Sequence, residues 1–367
     1  MRLRDRFIDW RNSWLATREF QEWAVRFPLA RPIARVRARE LFDINAGFVY
    51  SQILQACVSL DVFRIVHRSR HTIASLAGAI GLPEQGTERL VRAAVALKYL
   101  EFGDEERVAL GPSGAALLGN PSVMLMVRHH AALYEDLRDP VSLLRERSTD
   151  THLAAFWRYG DDAGPENKKK AHAYSALMLE TQEFIAREIL RAYSFKRHKH
   201  LMDLGGGAGG FVSAAKKQWP SLDITVCDLG PVAEIANRRF TEQNIEGRAV
   251  ACDFKNDPLP PGADVISLVR VLHDHDDDVA KKLLAKIYDA LPAGGSILIA
   301  EPMAGTRGAE PIGDAYFGFY LWAMGSGRPR TLSEIRQMLK DAGFAPAKTH
   351  RTSMPLFTRA LSATKAK

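Results

Sequence analysis

From residue 199 onward the apolar positions fall in short runs, "HLMDL", "DITVCDL", "RAVACDF", "ADVISLVRVL" and "SILIAEP", separated by stretches of helical spacing. Strands covered on both faces read as such continuous runs, whereas amphipathic helices place their apolar residues three and four apart. Their alternation predicts a mostly parallel sheet wrapped in helices, an α/β fold of the Rossmann-like kind. Upstream the pattern is helical. Residues 41–66, "LFDINAGFVYSQILQACVSLDVFRIV", are apolar on nearly all sides and predict a helix buried against protein. Then Thr72 caps a short helix, Gly81 and Pro83 stop it, and Thr87 begins another. "LEFGDEERVAL" reads as two short strands about a Gly-Asp turn, which completes a winged-helix pattern. Residues 121–195 read as helical around a loop at "YGDDAGPENKKK"; they hold Met124, Met126, Tyr174 and Met178, residue types that mostly serve as core. The pattern thus predicts an arm over 1–40, a helical winged-helix domain over 41–195 and an α/β domain over 196–367, with the boundary in "SFKRHKH".

Composition narrows the class. With 46% hydrophobic and 25% charged residues in 367, disorder and fibre are excluded. No run approaches about 18 uninterrupted apolar residues, and the charged "MRLRDRFIDW" lacks a secretory apolar region, so a cytoplasmic location is expected. Cys57, Cys227 and Cys252 lack CxxC spacing and are odd in number, which suits reduced thiols rather than disulfides or zinc. Residues 1–40 carry ten arginines, no lysine and five acids, a net +5 out of +7 overall, together with Trp10, Trp14 and Trp23. Two readings fit: an arm packed on a partner subunit with its arginines in water, or a surface helix peripheral to a membrane, touching anionic lipid heads while its rings enter the interface. Nucleic acid is not an expected partner, because the helix "TERLVRAAVALKYL" is mostly Leu, Val and Ala and the wing carries Asp104, Glu105 and Glu106.

The first strand of the C-terminal part runs into "DLGGGAGG", and a helix follows. Gly205, Gly207 and Gly210 form GxGxxG where a tight turn lets backbone N–H groups approach a ligand, and Asp228, eighteen residues after Gly210, can accept both hydroxyls of an adenosine ribose. Asp253 can accept from the adenine amine while Phe254 packs on the ring. NAD and S-adenosylmethionine both satisfy these features.

"DLGGGAGG", "CDL", "CDF", "LHD" and "LPAGGSILIAE", in this order and spacing, resemble the Class I methyltransferases and, within them, the dimeric small-molecule O-methyltransferases that include the plant phenolic enzymes. "AYSALM" at 173–178 resembles that family's segment lining the cofactor site, and the winged-helix part its dimerisation domain. "RFPLARPIARVRARELFDINAGFVYSQILQAC" and "DAYFGFYLWAMGSGRPRT" are similar to bacterial carotenoid O-methyltransferases acting on hydroxyneurosporene and demethylspheroidene. The resemblance implies a homodimer, a seven-stranded sheet and S-adenosyl-L-methionine as cofactor, held by Asp203, Gly205, Gly207, Asp228, Leu229, Asp253, Phe254 and Arg270. It implies His273 as general base flanked by Glu301, no metal, and a substrate lined by Met178, Met303, Phe319, Tyr320 and Met324, with Trp322 beside them.

The plant members orient their histidine with a carboxylate in a Gly-Lys-Glu-Arg-Thr segment, but "GRPRT" here puts Pro329 at that place, so that either Glu301 or Asp314 substitutes or the histidine is less strongly polarised. Where those members carry an asparagine, this chain has Met324, so the implied acceptor is a long hydrocarbon with one hydroxyl, methylated on a tertiary oxygen as in an acyclic hydroxycarotenoid. A bacteriochlorophyll-type macrocycle, a small phenol, or a fold that binds cofactor without chemistry are the alternatives. In "VLHDHDDD" neighbouring side chains diverge too much for one metal ion; Asp274 and His275 bridge a turn, and Asp276, Asp277 and Asp278 sit where an N-cap and helix dipole favour carboxylates.

Overall fold

The computed structural model describes residues 3–157 and 182–366; the loop "YGDDAGPENKKK", Tyr174 and Met178 lie outside the described residues. The chain forms two compact units, Met1–Asn120 and Pro121–Lys367. The division falls well before the boundary expected near 196. Its cause is packing: Leu133, Leu143 and Leu153 share one apolar cluster with Leu321, Ala323 and Met324, so the helices after residue 120 belong with the C-terminal unit.

In the N-terminal unit, α1 (Leu3–Leu15) and α2 (Arg18–Arg26) precede the long α3 (Arg31–Ser59), which ends before Asp61 at φ 54° and passes into α4 (Val62–Arg68). Thr72 caps α5 (Ile73–Ile80) by accepting from the Ser75 N–H, and Gly81 closes it at φ 69°. The next helix, α6 (Glu84–Ala96), starts ahead of Thr87, directly after Pro83; the buried Thr87 hydroxyl donates to the Pro83 carbonyl. Strands β1 (Leu100–Phe102) and β2 (Val108–Leu110) pair antiparallel before α7 (Pro112–Leu118). Cys57, Phe63, Val66, Leu76, Val91, Leu100 and Val108 are buried, but Leu41, Phe42, Ile44 and Phe48 on the first part of α3 are exposed. The segment predicted to be buried on all sides is therefore buried only toward its C-terminal end among the described residues.

The C-terminal unit begins with α8 (Pro121–Asp136), α9 (Pro140–Arg145) and α10 (His152–Trp157), and α11 is helical over 182–192. Strands β3 (His200–Leu204), β4 (Asp223–Asp228), β5 (Arg248–Ala251), β6 (Val265–Val269), β7 (Ser296–Glu301), β8 (Lys348–His350) and β9 (Arg359–Thr364) form one sheet in the order β5-β4-β3-β6-β7-β9-β8. The five strands from β5 to β7 are parallel, and β9 runs antiparallel to both β7 and β8. Alternate residues feed two cores: Met202, Leu204, Ile266 and Ile297 point to one face, and Leu201, Val265 and Leu298 to the other. Helices α12 (Gly210–Gln218), α13 (Gly230–Glu242), α14 (Asp277–Ala290) and α16 (Leu332–Asp341) cover the sheet, and α15 (Phe317–Met324) follows a π-helical turn over Pro311–Tyr316. Because β3 leads outward to β4 and β5 on one side while β6 and β7 lie on the other, the crevice outside the ends of β3 and β6 is the switch point where such sheets take ligands.

Candidate active site

At the end of β3 the backbone turns through Gly205, Gly207 and Gly209, all at positive φ (66°, 58° and 75°). Gly205 is confined: a Cβ there would lie 2.9 Å from Val271 Cγ2. Gly207 is different, since nothing stands within 4 Å of its Cβ position, which leaves that side open for a ligand. Asp228, at the end of β4, holds the turn, accepting from the Gly207 N–H through Oδ2 and from the Leu229 N–H through Oδ1, each at 2.8 Å. Each oxygen keeps a further lone pair for a ribose hydroxyl. Asp203 accepts from the Ser267 hydroxyl at 2.6 Å through Oδ1, while its buried Oδ2 has no protein partner. Burial lifts Asp203 to about 7 and Asp228 to about 6. A buried orphan acceptor, a carboxylate at the turn and an open glycine suit an adenosyl group carrying a cationic tail.

Phe254 lies 3.6 Å from the Gly205 Cβ position and meets His275 edge to face, so it borders the crevice. Asp253 is engaged in its own turn: Oδ1 accepts from the Lys255 N–H at 3.0 Å and Oδ2 from the Asn256 amide at 2.7 Å. Lys286 Nζ on α14 ties down the same loop by donating to the carbonyls of Phe254, Lys255 and Asp257. Arg270 leaves β6 at φ 60°, its N–H donating to the Ala300 carbonyl, a left-handed conformation uncommon for a long side chain.

His273 sits on a 3-10 turn over Leu272–Asp274, buried; its Nε2 lies 3.2 Å from Asp274 Oδ1, and its Nδ1 is buried without a protein partner. Burial first, then the charges of Arg270 and Arg330, push it down to about 3, so the ring is neutral. Burial also raises Asp274 well above the usual carboxylate range, against the pull of Arg270. Glu301, raised to about 7 by burial, accepts from the His273 backbone N–H at 3.1 Å through Oε2 and does not reach the ring in this structure. Asp314 does not take the place left by Pro329: its Oδ2 accepts from the Gly305 N–H at 2.9 Å. Asp276 occupies the N-cap position of α14 without a side-chain capping bond, because its Oδ1 is taken by the Gly327 N–H and Arg147.

The expected substrate lining is only partly gathered. Tyr320 and Met324 are buried in one cluster, but Met303 belongs to the sheet's own core with Ile335 and Met338, and Phe319 is 37% exposed. A helix of eight residues cannot turn Phe319 and Tyr320 to the same side. Trp322 donates to the Leu143 carbonyl at 2.6 Å. Sequence reasoning missed Phe317, whose ring centroid is 5.7 Å from that of His273, and Tyr316, 5.0 Å from Phe317. It also missed His129 and His130, which pair with the hydroxyls of Tyr320 and Tyr316 at 2.8 and 2.7 Å and are kept neutral by burial. Among the described residues no group of three or more His, Cys, Asp or Glu is arranged to hold a metal. A cleft of about 390 Å³ lined by Arg197, His198, Asp264 and Pro292–Ser296 lies at the opposite ends of the strands, away from the glycine turn.

Comparison with known proteins agrees with this geometry. Residues 134–345 match the O-methyltransferase domain family and residues 42–120 the O-methyltransferase dimerisation domain. The demethylspheroidene O-methyltransferase of Cereibacter sphaeroides is 41% identical over 95% of this chain and 92% of its own length; that of Rhodobacter capsulatus is 41% identical over 92% and 85%. Human N-acetylserotonin methyltransferase in complex with S-adenosylmethionine superposes with a TM-score of 0.76 at 25% identity, covering 90% of this chain and 98% of that one. The dimerisation match includes the exposed apolar turns of α3 from Phe42 to Phe48. The chain belongs to the S-adenosylmethionine-dependent O-methyltransferases and carries their dimerisation domain ahead of the catalytic one.

Proposed function

We propose that this enzyme methylates the tertiary hydroxyl of an acyclic hydroxycarotenoid of the demethylspheroidene or hydroxyneurosporene type, giving a methoxy end group and S-adenosylhomocysteine. The observation that carries the proposal is the 41% identity, over nearly the whole chain, to two demethylspheroidene O-methyltransferases. The site supports it: Phe317, whose ring centroid is 5.7 Å from that of His273, offers apolar surface beside the proton acceptor.

Bound S-adenosylmethionine supplies a methyl group already activated on a sulfonium. The protein's share is to hold the acceptor oxygen in line, exclude water and receive a proton. Positioning contributes on the order of 7–11 kcal/mol, and a general base about 10²- to 10⁴-fold. We assign the proton to His273. Burial keeps its ring unprotonated and so able to accept, Asp274 holds Nε2, and Nδ1 is the nitrogen without a protein partner. The same burial weakens it as a base, so positioning carries the larger part. Asp203, Gly205, Gly207, Asp228, Leu229, Phe254 and Arg270 are assigned to the cofactor. Asp253 joins them only if its carboxylate lets go of its own turn.

We further propose that the enzyme works on the cytoplasmic side of a membrane, touching it through residues 1–40, whose net +5 accompanies exposed Trp10, Trp14 and Trp23. Binding to anionic vesicles that survives deletion of residues 1–40 would contradict this. The substrate is tested with labelled cofactor and a panel of acceptors: label in hydroxycarotenoids is expected, and turnover of small catechols with none of hydroxycarotenoids would overturn the assignment.

A further inference from the structure

The turn that carries His273 has its carbonyls taken one after another by a single distant segment. The Leu272 carbonyl accepts from Arg330 Nη1 at 2.8 Å, the His273 carbonyl from the Arg328 N–H at 2.9 Å, the Asp274 carbonyl from the Ser326 hydroxyl at 2.9 Å, and the His275 carbonyl from Arg330 Nη2 at 2.7 Å. Gly327, at φ 79°, allows the approach, since a Cβ there would collide with the His273 carbonyl oxygen. Arg330 is fully buried, and its Nε and Nη2 both donate to Asp277 Oδ1, at 3.0 and 2.8 Å. Asp277 is also gripped by Arg328 Nε and Nη2 at 3.1 and 2.9 Å. The segment is itself fixed: the Ala304 N–H donates to the Arg330 carbonyl, and Thr331 and Glu334 form a reciprocal capping box at the start of α16.

All three guanidinium nitrogens of Arg330 are thus spent on one six-residue turn. A buried guanidinium is held by its fixed fork of donors on three separate nitrogens; a lysine also has three donors, but all on a single nitrogen, which cannot reproduce contacts made from three places at once. We propose that Arg330 is the positioning residue for His273, fixing the ring through the backbone of its turn where Pro329 offers no side-chain carboxylate to do so. The proposal rests on His273 being the proton acceptor, and the experiment separates the two ideas.

Turnover of hydroxycarotenoid is measured for the full-length enzyme and for Arg330→Lys, His273→Ala and the double variant, together with the Kd for S-adenosylmethionine. Arg330→Lys is expected to lower kcat on the order of 10²-fold, as a displacement of about 1 Å does, with cofactor Kd and acceptor KM nearly unchanged. In the His273→Ala background the same change should have almost no further effect, because the misplaced group is already gone. Equal losses in both backgrounds would overturn the positioning role, and a His273→Ala enzyme as active as the parent would instead overturn the base assignment. If Arg330→Lys does not fold, Asp277→Asn, whose half-exposed carboxylate anchors the same guanidinium, replaces it in the cycle with the same expected non-additivity.

Discussion

At the end of β3 the chain prepares for its cofactor chiefly with backbone: three glycines at positive φ within five residues, tied to the next strand by the Asp228 carboxylate. At the end of β6 the turn that presents His273 is held almost wholly by side chains and N–H groups that enter from residues 326–330. The first arrangement is local, and its stability is a matter of φ values; the second closes across more than fifty residues of chain and depends on buried charge. A left-handed glycine turn is strained by any added Cβ and at Gly205 has no room for one, whereas a clamp of hydrogen bonds tolerates small shape changes and fails when a donor is lost.

The two halves should therefore break differently. His273→Ala should lower turnover by about 10²- to 10⁴-fold while the cofactor Kd, measured calorimetrically, stays nearly constant. Gly205→Ala should act on the other half. It forces a Cβ against Val271 at φ 66° and should cost about 1–3 kcal/mol of stability together with cofactor affinity, read by thermal melting with and without cofactor. A third test uses pH. Burial raises Glu301 from an ordinary 4.5 to about 7 in the folded state, so between those values the folded chain holds a proton that the unfolded chain has lost, and this group's contribution to stability falls as pH rises. Replacing Glu301 by Gln removes that slope, so the melting temperature of the variant relative to the parent should climb from pH 5 to pH 8; a constant difference would place the carboxyl outside the buried cluster. The smallest effect is expected at Tyr320→Phe, which removes the hydroxyl shared by His129 and Trp157 and should cost about 1–2 kcal/mol without changing cofactor binding.

Local chemistry was legible in the sequence, and long-range chemistry was not. The apolar runs located β3, β4, β6 and β7 because these are buried on both faces, the edge strand β5 was located although its residues are only half-buried or exposed, and Thr72 with Gly81 marked both ends of α5. Of the three glycines in the GxGxxG pattern, Gly205 and Gly207 form the turn, whereas Gly210 opens α12 and Gly209 takes the third positive φ. The short edge strand β8 and its neighbour β9 carry mixed polar residues and gave no such run. Asp253 resembled a nucleobase acceptor because it ends a strand region, but in "DFKNDP" the following Lys255 and Asn256 supply the partners of an aspartate-centred turn, a signal that was present and outweighed. The aspartates of "VLHDHDDD" were read as a helix start. Asp277 does lie in the first turn of α14, yet it is held down to about 2 chiefly by the Arg328 hydrogen bond, with that of Arg330 adding to it, and neither pairing can be inferred from spacing. The plant pattern is broken at Pro329, while the residue that reaches the turn is its neighbour Arg330. Met303, expected among the apolar residues lining the substrate, instead turns into the sheet's core. Tyr316, Phe317, His129 and His130 meet only once α8 lies on α15, so no linear motif announces them.

The most direct test is a single turnover with the purified enzyme, methyl-labelled S-adenosylmethionine and an acyclic hydroxycarotenoid, with the product analysed by mass spectrometry. The label is predicted on the tertiary oxygen, one methyl per hydroxyl, and the rate of its appearance should collapse in His273→Ala while the cofactor remains bound. Label on carbon, or label that never leaves the cofactor in the parent enzyme, would contradict the account.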